Sequence, residues 1–126
     1  MPRDDGGSPG TRLLRWAEMD VARPLPGITA VAGIGSQLSA AVFTLDAGAV
    51  VPDHSHDNEE FGQVLSGSLE LHWADETVVL QAGEAFLLPA GVPHGARALD
   101  DGCALVECYA PPRNPIPTTT TSGDAS

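Results

Sequence analysis

Residues 48–67 read GAVVPDHSHDNEEFGQVLSG, and no other stretch constrains the fold so tightly. His54 and His56 stand two apart. On an extended strand that spacing turns both imidazoles to one face, because successive side chains alternate sides. Glu60 follows four residues after His56, with Glu59 beside it. Adjacent strand residues face opposite ways, so only one of the two carboxylates can share the histidines' side. Two imidazoles and a carboxylate on one side make half of a metal site. The competing reading, surface histidines near a turn, stays open on the pair alone.

Val50-Val51 leads into the pair and Phe61 to Leu65 resumes as a strand, which places the histidines at a strand's end. Upstream, Ile28 to Ala32 and Gln37 to Leu45 read as strands around Gly33 to Ser36. Arg23 to Gly27, with two prolines, is expected to break any regular element. Leu13 to Val21 fits a short strand or a turn of helix. Downstream, Ser66-Gly67 is expected to turn, and Leu69, Leu71 and Trp73 then alternate with Glu70 and His72. That alternation leaves His72 beside Glu70, exposed and non-ligating. Thr77 to Leu80, Ala85 to Leu88 and Cys103 to Tyr109 complete the strands. Short strands at even intervals, Gly/Pro turns and no helical period predict an all-β sandwich or barrel. Residues 13–113 form the expected domain, between disordered tails at 1–12 and 114–126.

The 126 residues support one modest core. The formal charge is -11 with no lysine, and none of the six arginines lies between Arg23 and Arg97. No basic stripe can form, which excludes nucleic acid and an anionic membrane surface as partners. No apolar run is long enough to span a bilayer and no signal-peptide core is visible, so a cytoplasmic location is expected. Cys103 and Cys108, five apart on one strand, point to opposite faces and are expected as reduced, buried thiols.

A second cluster lies at residues 83–94: Gly83, five residues, Pro89-Ala90-Gly91, two residues, His94. Together the two stretches resemble the paired signatures of the cupin family. Gly48, His54, His56, Glu60 and Gly67 meet every term of the first signature, and Gly83, Pro89, Gly91 and His94 meet the second. Ala98 stands where the second signature carries Asn, which is not a metal ligand. The resemblance implies a cupin double-stranded β-helix (a jelly-roll barrel) over about residues 28–113. It implies His54, His56, Glu60 and His94 as metal ligands, with the spacing to Gly67 choosing Glu60 over Glu59. A mixed nitrogen and oxygen set suits one divalent transition metal, Fe, Mn, Ni, Co or Zn, and leaves positions open for water or substrate. Small cupins commonly form dimers, so a homodimer is expected, with Leu13 to Val21 the segment to pair between protomers.

Glu107 interrupts an otherwise apolar strand. It either faces solvent or sits in a polar cavity at a functional site, and the pattern of Cys103, Leu105 and Tyr109 against Ala104, Val106 and Cys108 leaves both open. Residues 54–67 and 106–113 are further similar to a small-cupin group that includes uronate ring-opening enzymes and related polyketide cyclases. That resemblance implies Glu107, Tyr109 and Arg113 in the pocket beside the metal. Two departures stand out: the group usually carries Gln where Glu60 stands and Tyr where Gln63 stands. The implied chemistry is Lewis-acid isomerisation, ring-opening, cyclisation or elimination on a small oxygenated substrate. Glu107 is then the proton carrier, and Arg113 or Arg97 the partner of a substrate carboxylate. A metal dioxygenase and a non-catalytic small-ligand binder are the alternatives.

Overall fold

Among the described residues the chain forms eight antiparallel strands: β1 Ala22–Leu25, β2 Ile28–Ile34, β3 Ser39–Leu45, β4 Val50–His54, β5 Glu59–Trp73, β6 Glu76–Gln81, β7 Ala85–Leu88 and β8 His94–Ala110. The computed structural model describes residues 10–114; residues 1–9 and 115–126 of the expected tails lie outside the described residues. The all-β jelly-roll expectation holds.

Two long strands organise the barrel. The first half of β5 pairs with β7 and with the second half of β8, which also pairs with β3. The second half of β5 pairs with β6 and with the first half of β8, which also pairs with β4. β5 and β8 therefore belong to two sheets at once and cross from one to the other near their middles. The register shifts there, between Val64 and Ser66 and between Gly67 and Leu69. Bulges of this kind bend a strand and raise its twist, which lets a sheet turn a corner.

Ser66-Gly67 is thus a bulge inside one strand and not a turn between two. Gly67 has φ +75, and a Cβ there would stand 2.0 Å from the carbonyl oxygen of Gly102. Only glycine meets both demands, the positive φ and the close backbone approach. The last strand is also longer than its apolar part, starting at His94, because Arg97, Asp100 and Asp101 are exposed and interrupt the pattern. Arg23-Pro24-Leu25 forms β1 where a break was expected. β1 is an edge strand, where a residue without an N–H is tolerated. In the 13–21 segment a three-residue 3-10 turn spans Trp16–Glu18, and the Leu14 side chain packs over Gly33.

Burial alternates most clearly along β3 and the first half of β5. Ile28, Leu45, Val64, Leu69, Leu71 and Leu105 are almost wholly buried and form one core, with Phe43, Val51 and Phe86 packed against it. Cys103 is buried and Cys108 half-buried, both as free thiols, so the expected burial holds fully for the first alone.

Candidate metal centre

His54 closes β4 and His94 opens β8, and the two are cross-strand partners. His56 lies two residues beyond β4, and its carbonyl accepts a 2.8 Å bond from the Gly91 amide. The two glycine-bracketed stretches are therefore joined through their backbones at the point where their histidines meet. One ligand atom from each of His54, His56 and His94 lies within 4.8 Å of the others.

Each ring is held from behind. His54 Nδ1 donates to the Pro52 carbonyl at 2.9 Å, His56 Nδ1 to that of Asn58 at 3.2 Å, and His94 Nδ1 to that of Val92 at 2.9 Å. A carbonyl only accepts, so each Nδ1 carries the hydrogen and a neutral ring presents a lone pair at Nε2. Backbone partners of this kind orient the imidazoles of metal sites. Burial keeps His54 neutral by lowering its pKa.

Glu60 faces inward, 3 % exposed, while Glu59 faces solvent. Its Oε1 lies 3.0 Å from His56 Nε2 and 3.3 Å from His94 Nε2. Burial opposes its ionisation, but the bonds to His56 and His94 override burial and hold its pKa down to about 2. A carboxylate oxygen facing two nitrogen lone pairs is unstable unless positive charge stands between them. Protons can supply it, and so can one metal cation. Ligand atoms about 2.0–2.2 Å from a common metal stand about 3 Å apart; Glu60 stands about that far from His56 and His94, and the three histidine atoms lie within 4.8 Å of one another. The donor set and its spacing fit a divalent metal.

Glu107 settles on the inner face with Cys103, Leu105 and Tyr109. Its ladder neighbours are Ala41 on β3 and Gly62 on β5. A Cβ at Gly62 would strike the Phe86 ring at 2.2 Å, so the glycine lets that ring pack against β5. Burial, then the Glu60 charge and a hydrogen bond to it, push the Glu107 pKa well above the ordinary carboxylate value. Tyr109 Oη donates to Glu107 Oε1 in a short hydrogen bond, and burial followed by Glu107 raises the tyrosine's own pKa. Glu107 thus sits between the Tyr109 phenol, which donates to it, and Glu60, whose charge joins burial in raising its pKa.

Arg113 stacks over Tyr109 with its guanidinium carbon 5.8 Å from the ring centre, a cation–π distance. Its backbone is pinned by Ser39, whose hydroxyl accepts from the Arg113 amide at 2.9 Å and donates to the Arg113 carbonyl at 2.8 Å. His54, Glu60, His94, Glu107, Tyr109 and Arg113 all line one cavity of about 330 Å³. Arg97 is not among its lining residues and pairs instead with Glu70 on the outside at 3.3 Å.

Two supporting residues carry no spacing signal in the sequence. Ser39 is one. Asn58 is the other: it is buried, its carbonyl holds His56, and its side-chain amide donates to the Pro111 carbonyl at 2.6 Å. His72 stays outside the centre, as expected, but is only partly exposed and pairs with Asp53 at 3.4 Å. Ala98 is fully buried in the apolar core, where its methyl group fits. Gln63 faces outward and donates to the Gly83 carbonyl at 3.2 Å, so this departure does not touch the pocket.

A jelly-roll barrel with a three-histidine cluster inside it defines a cupin, and the cupin domain family matches residues 41–107, more than half of the chain. The chain belongs to the cupin family. It is 30 % identical over 67 residues to the pectin degradation protein KdgF of Dickeya dadantii, a match covering 52 % of this chain and 61 % of that protein, short of two thirds of its length. The solved structure of KdgF from Halomonas sp. superposes with a TM-score of 0.73 at 30 % identity, covering 78 % of this chain and 93 % of that one. An RmlC-like cupin from Shewanella frigidimarina gives a TM-score of 0.72 at 25 % identity, covering 76 % and 86 %. Among the described residues, no helix is long and apolar enough to cross a membrane.

Proposed function

We propose that this cupin is a cytoplasmic metal-dependent enzyme of the isomerase, lyase or cyclase type, acting on a small oxygenated substrate. His54, His56, His94 and Glu60 hold one divalent transition metal. When bound, the metal supplies Lewis acidity, which acidifies a C–H or O–H beside a carbonyl or hydroxyl oxygen of the substrate. Glu107 keeps its proton through burial and through Glu60, and exchanges it with the substrate as general acid or base. Tyr109 holds the Glu107 carboxyl group in place through its hydroxyl. Arg113 pairs with a substrate carboxylate or enolate.

The observation that carries this reading is Glu107, a carboxyl group hydrogen-bonded by Tyr109 in the same cavity as Glu60, His54 and His94. A metal site used only for binding has no need of a second inward carboxyl group whose pKa burial and Glu60 push up. Similarity to a pectin degradation protein supports a sugar-acid or related keto compound as one substrate class. We carry the homodimer forward within this proposal: Leu13 and Val21, more than half exposed, lie in the segment expected to pair between protomers.

Oxygen chemistry on the same ligand set is the second reading, because three histidines and a carboxylate leave coordination positions open. One experiment separates the two. Metal-loaded protein is incubated anaerobically in deuterium oxide with keto acids, unsaturated uronates and 1,3-dicarbonyl compounds, and products are followed by NMR. Turnover with deuterium entering the substrate supports the proton-transfer reading. Turnover only when oxygen is admitted and consumed overturns it.

A further inference from the structure

Beyond Ala110 the last strand leaves its ladder, and the chain that carries Arg113 is held by two side chains instead. Pro111 and Pro112 have no N–H, so residues 111–113 offer one backbone donor, the Arg113 amide, and three carbonyls. Two side chains from distant strands and loops reach all four. The Asn58 amide donates to the Pro111 carbonyl at 2.6 Å and lies 3.5 Å from that of Pro112. The Ser39 hydroxyl accepts from the Arg113 amide and donates to the Arg113 carbonyl.

Both side chains are buried, Ser39 at 1 % exposure and Asn58 at 9 %. Ser39 takes an inward position on β3, in line with the apolar Ala41 and Leu45, where an unbonded hydroxyl would be destabilising. Asn58 reaches two ways. Its backbone carbonyl accepts from the His56 ring while its side chain holds the Pro111 carbonyl, so one residue touches both a metal ligand and the arm that carries Arg113. Tyr109 stands between the two: its ring centre is 5.7 Å from that of His56 and 5.8 Å from the Arg113 guanidinium carbon.

We propose that Ser39 and Asn58 are positioning residues: they hold Arg113 where it meets a carboxylate on a ligand bound at the metal centre, and Asn58 ties that arm to the His56 loop. An arginine side chain samples many rotamers, and the ordering of each such chain opposes binding. Pinning its backbone and stacking its guanidinium on Tyr109 removes part of that freedom before the ligand arrives. A paired arginine and carboxylate then form their parallel hydrogen bonds from a fixed start. The proposal rests on the reading of His54, His56, Glu60 and His94 as a metal centre with Arg113 as the carboxylate's partner.

The test uses the full chain loaded with cobalt(II), whose visible absorption reports ligands entering the metal environment. Acetohydroxamate and succinate monohydroxamate chelate through the same group, and only the second carries a carboxylate. The wild type is expected to bind the second at least about tenfold more tightly, and Arg113→Gln to lose that preference. Ser39→Ala is expected to cut the preference to about threefold or less, with cobalt and acetohydroxamate affinity unchanged. Asn58→Ala is expected to cut it likewise and to weaken cobalt binding about tenfold, because the loop behind His56 is loosened. A role confined to stability would lower the Tm of both variants and leave the discrimination between probes as it is. Either variant, folded by circular dichroism and with the wild-type preference intact, overturns the proposal, as does loss of the fold in both; where one alone unfolds, the other decides. A wild type without the preference, or Arg113→Gln that keeps it, overturns Arg113 as the carboxylate's partner. A wild-type chain that takes up no cobalt overturns the metal-centre reading itself, and this proposal with it.

Discussion

Glu60 and Glu107 line one cavity inside the barrel and their pKa values are pushed apart. Against its burial, His56 and His94 hold that of Glu60 down to about 2, while burial and the Glu60 charge push that of Glu107 well up. Like charges in contact cannot both ionise at low cost, and the imidazoles decide which one does. Glu60 touches His56 and His94, which favour its ionised form, while burial and Glu60 favour the protonated form of Glu107.

The two carboxylates are therefore expected to separate on mutation. Glu107→Gln should retain metal and lose turnover by about 10²-fold or more, in the range of general acid–base contributions. Glu60→Gln should instead weaken metal binding. Metal content and rate, measured on the same preparations, check this; a Glu107→Gln protein with full activity removes Glu107 from the chemistry.

Tyr109 offers a test through pH. Burial and the Glu60 charge raise the Glu107 pKa, and the hydrogen bond from Tyr109 works against them. Tyr109→Phe deletes the opposing contribution, so the pKa moves higher still. The limb of the pH–rate profile that belongs to Glu107 should shift toward alkaline pH in the metal-loaded variant. A shift toward acid contradicts the hydrogen-bonded arrangement.

Metal binding should also couple to stability with a definite sign. For His94, burial alone would lower the pKa, but the bond to Glu60 wins and the net direction is up. In metal-free protein the protonated His94–Glu60 pair stabilises the fold fully below the unfolded histidine value of about 6.5, and that contribution is lost as pH rises through the folded value. Metal needs the unprotonated ring and so replaces what is lost. The rise in Tm on adding zinc(II) is expected to grow from about pH 5 to about pH 8, as proton competition is relieved. Calorimetry at several pH values checks this, and a rise that shrinks with pH contradicts it.

Much of this centre is legible in residue spacing. Spacing alone brings His54, His56 and His94 to one point and picks Glu60 over Glu59 as the inward carboxylate. Other features are hidden because two structures share one local pattern. Ser66-Gly67 reads as a turn, and only the close passage of Gly102 makes it a bulge. The direction of Glu107 is ambiguous because both faces of its strand are apolar; Ala104, Val106 and Cys108 on the outer face are themselves half-buried. Ser39 and Asn58 act through backbone atoms more than 50 residues away in sequence, beyond the reach of any local pattern.

The bulge gives a stability prediction. Gly67→Ala adds a Cβ 2.0 Å from the Gly102 carbonyl oxygen and forces a positive φ on an L residue. A loss of about 3 kcal/mol is expected, the level reached when backbone strain and steric overlap combine. Urea denaturation measures it, and a loss below about 1 kcal/mol means the two strands do not approach this closely.

The thiols should be unreactive. Burial, then the Glu107 charge, pushes Cys103 up to about 11, and Cys108 is raised by the same causes. A raised pKa means less thiolate, the reactive form, at neutral pH. Alkylation near neutral pH, followed by mass spectrometry, is expected to be slow at both sites and slowest at buried Cys103. Rapid labelling of Cys103 contradicts its inward placement.

The most direct measurement is metal analysis of the protein purified without chelator, alongside His94→Ala. One divalent transition metal per chain is expected in the wild type and none in the variant, with both proteins folded by circular dichroism. A folded wild-type chain that holds no such metal and takes none up on addition contradicts the metal centre formed by His54, His56, Glu60 and His94.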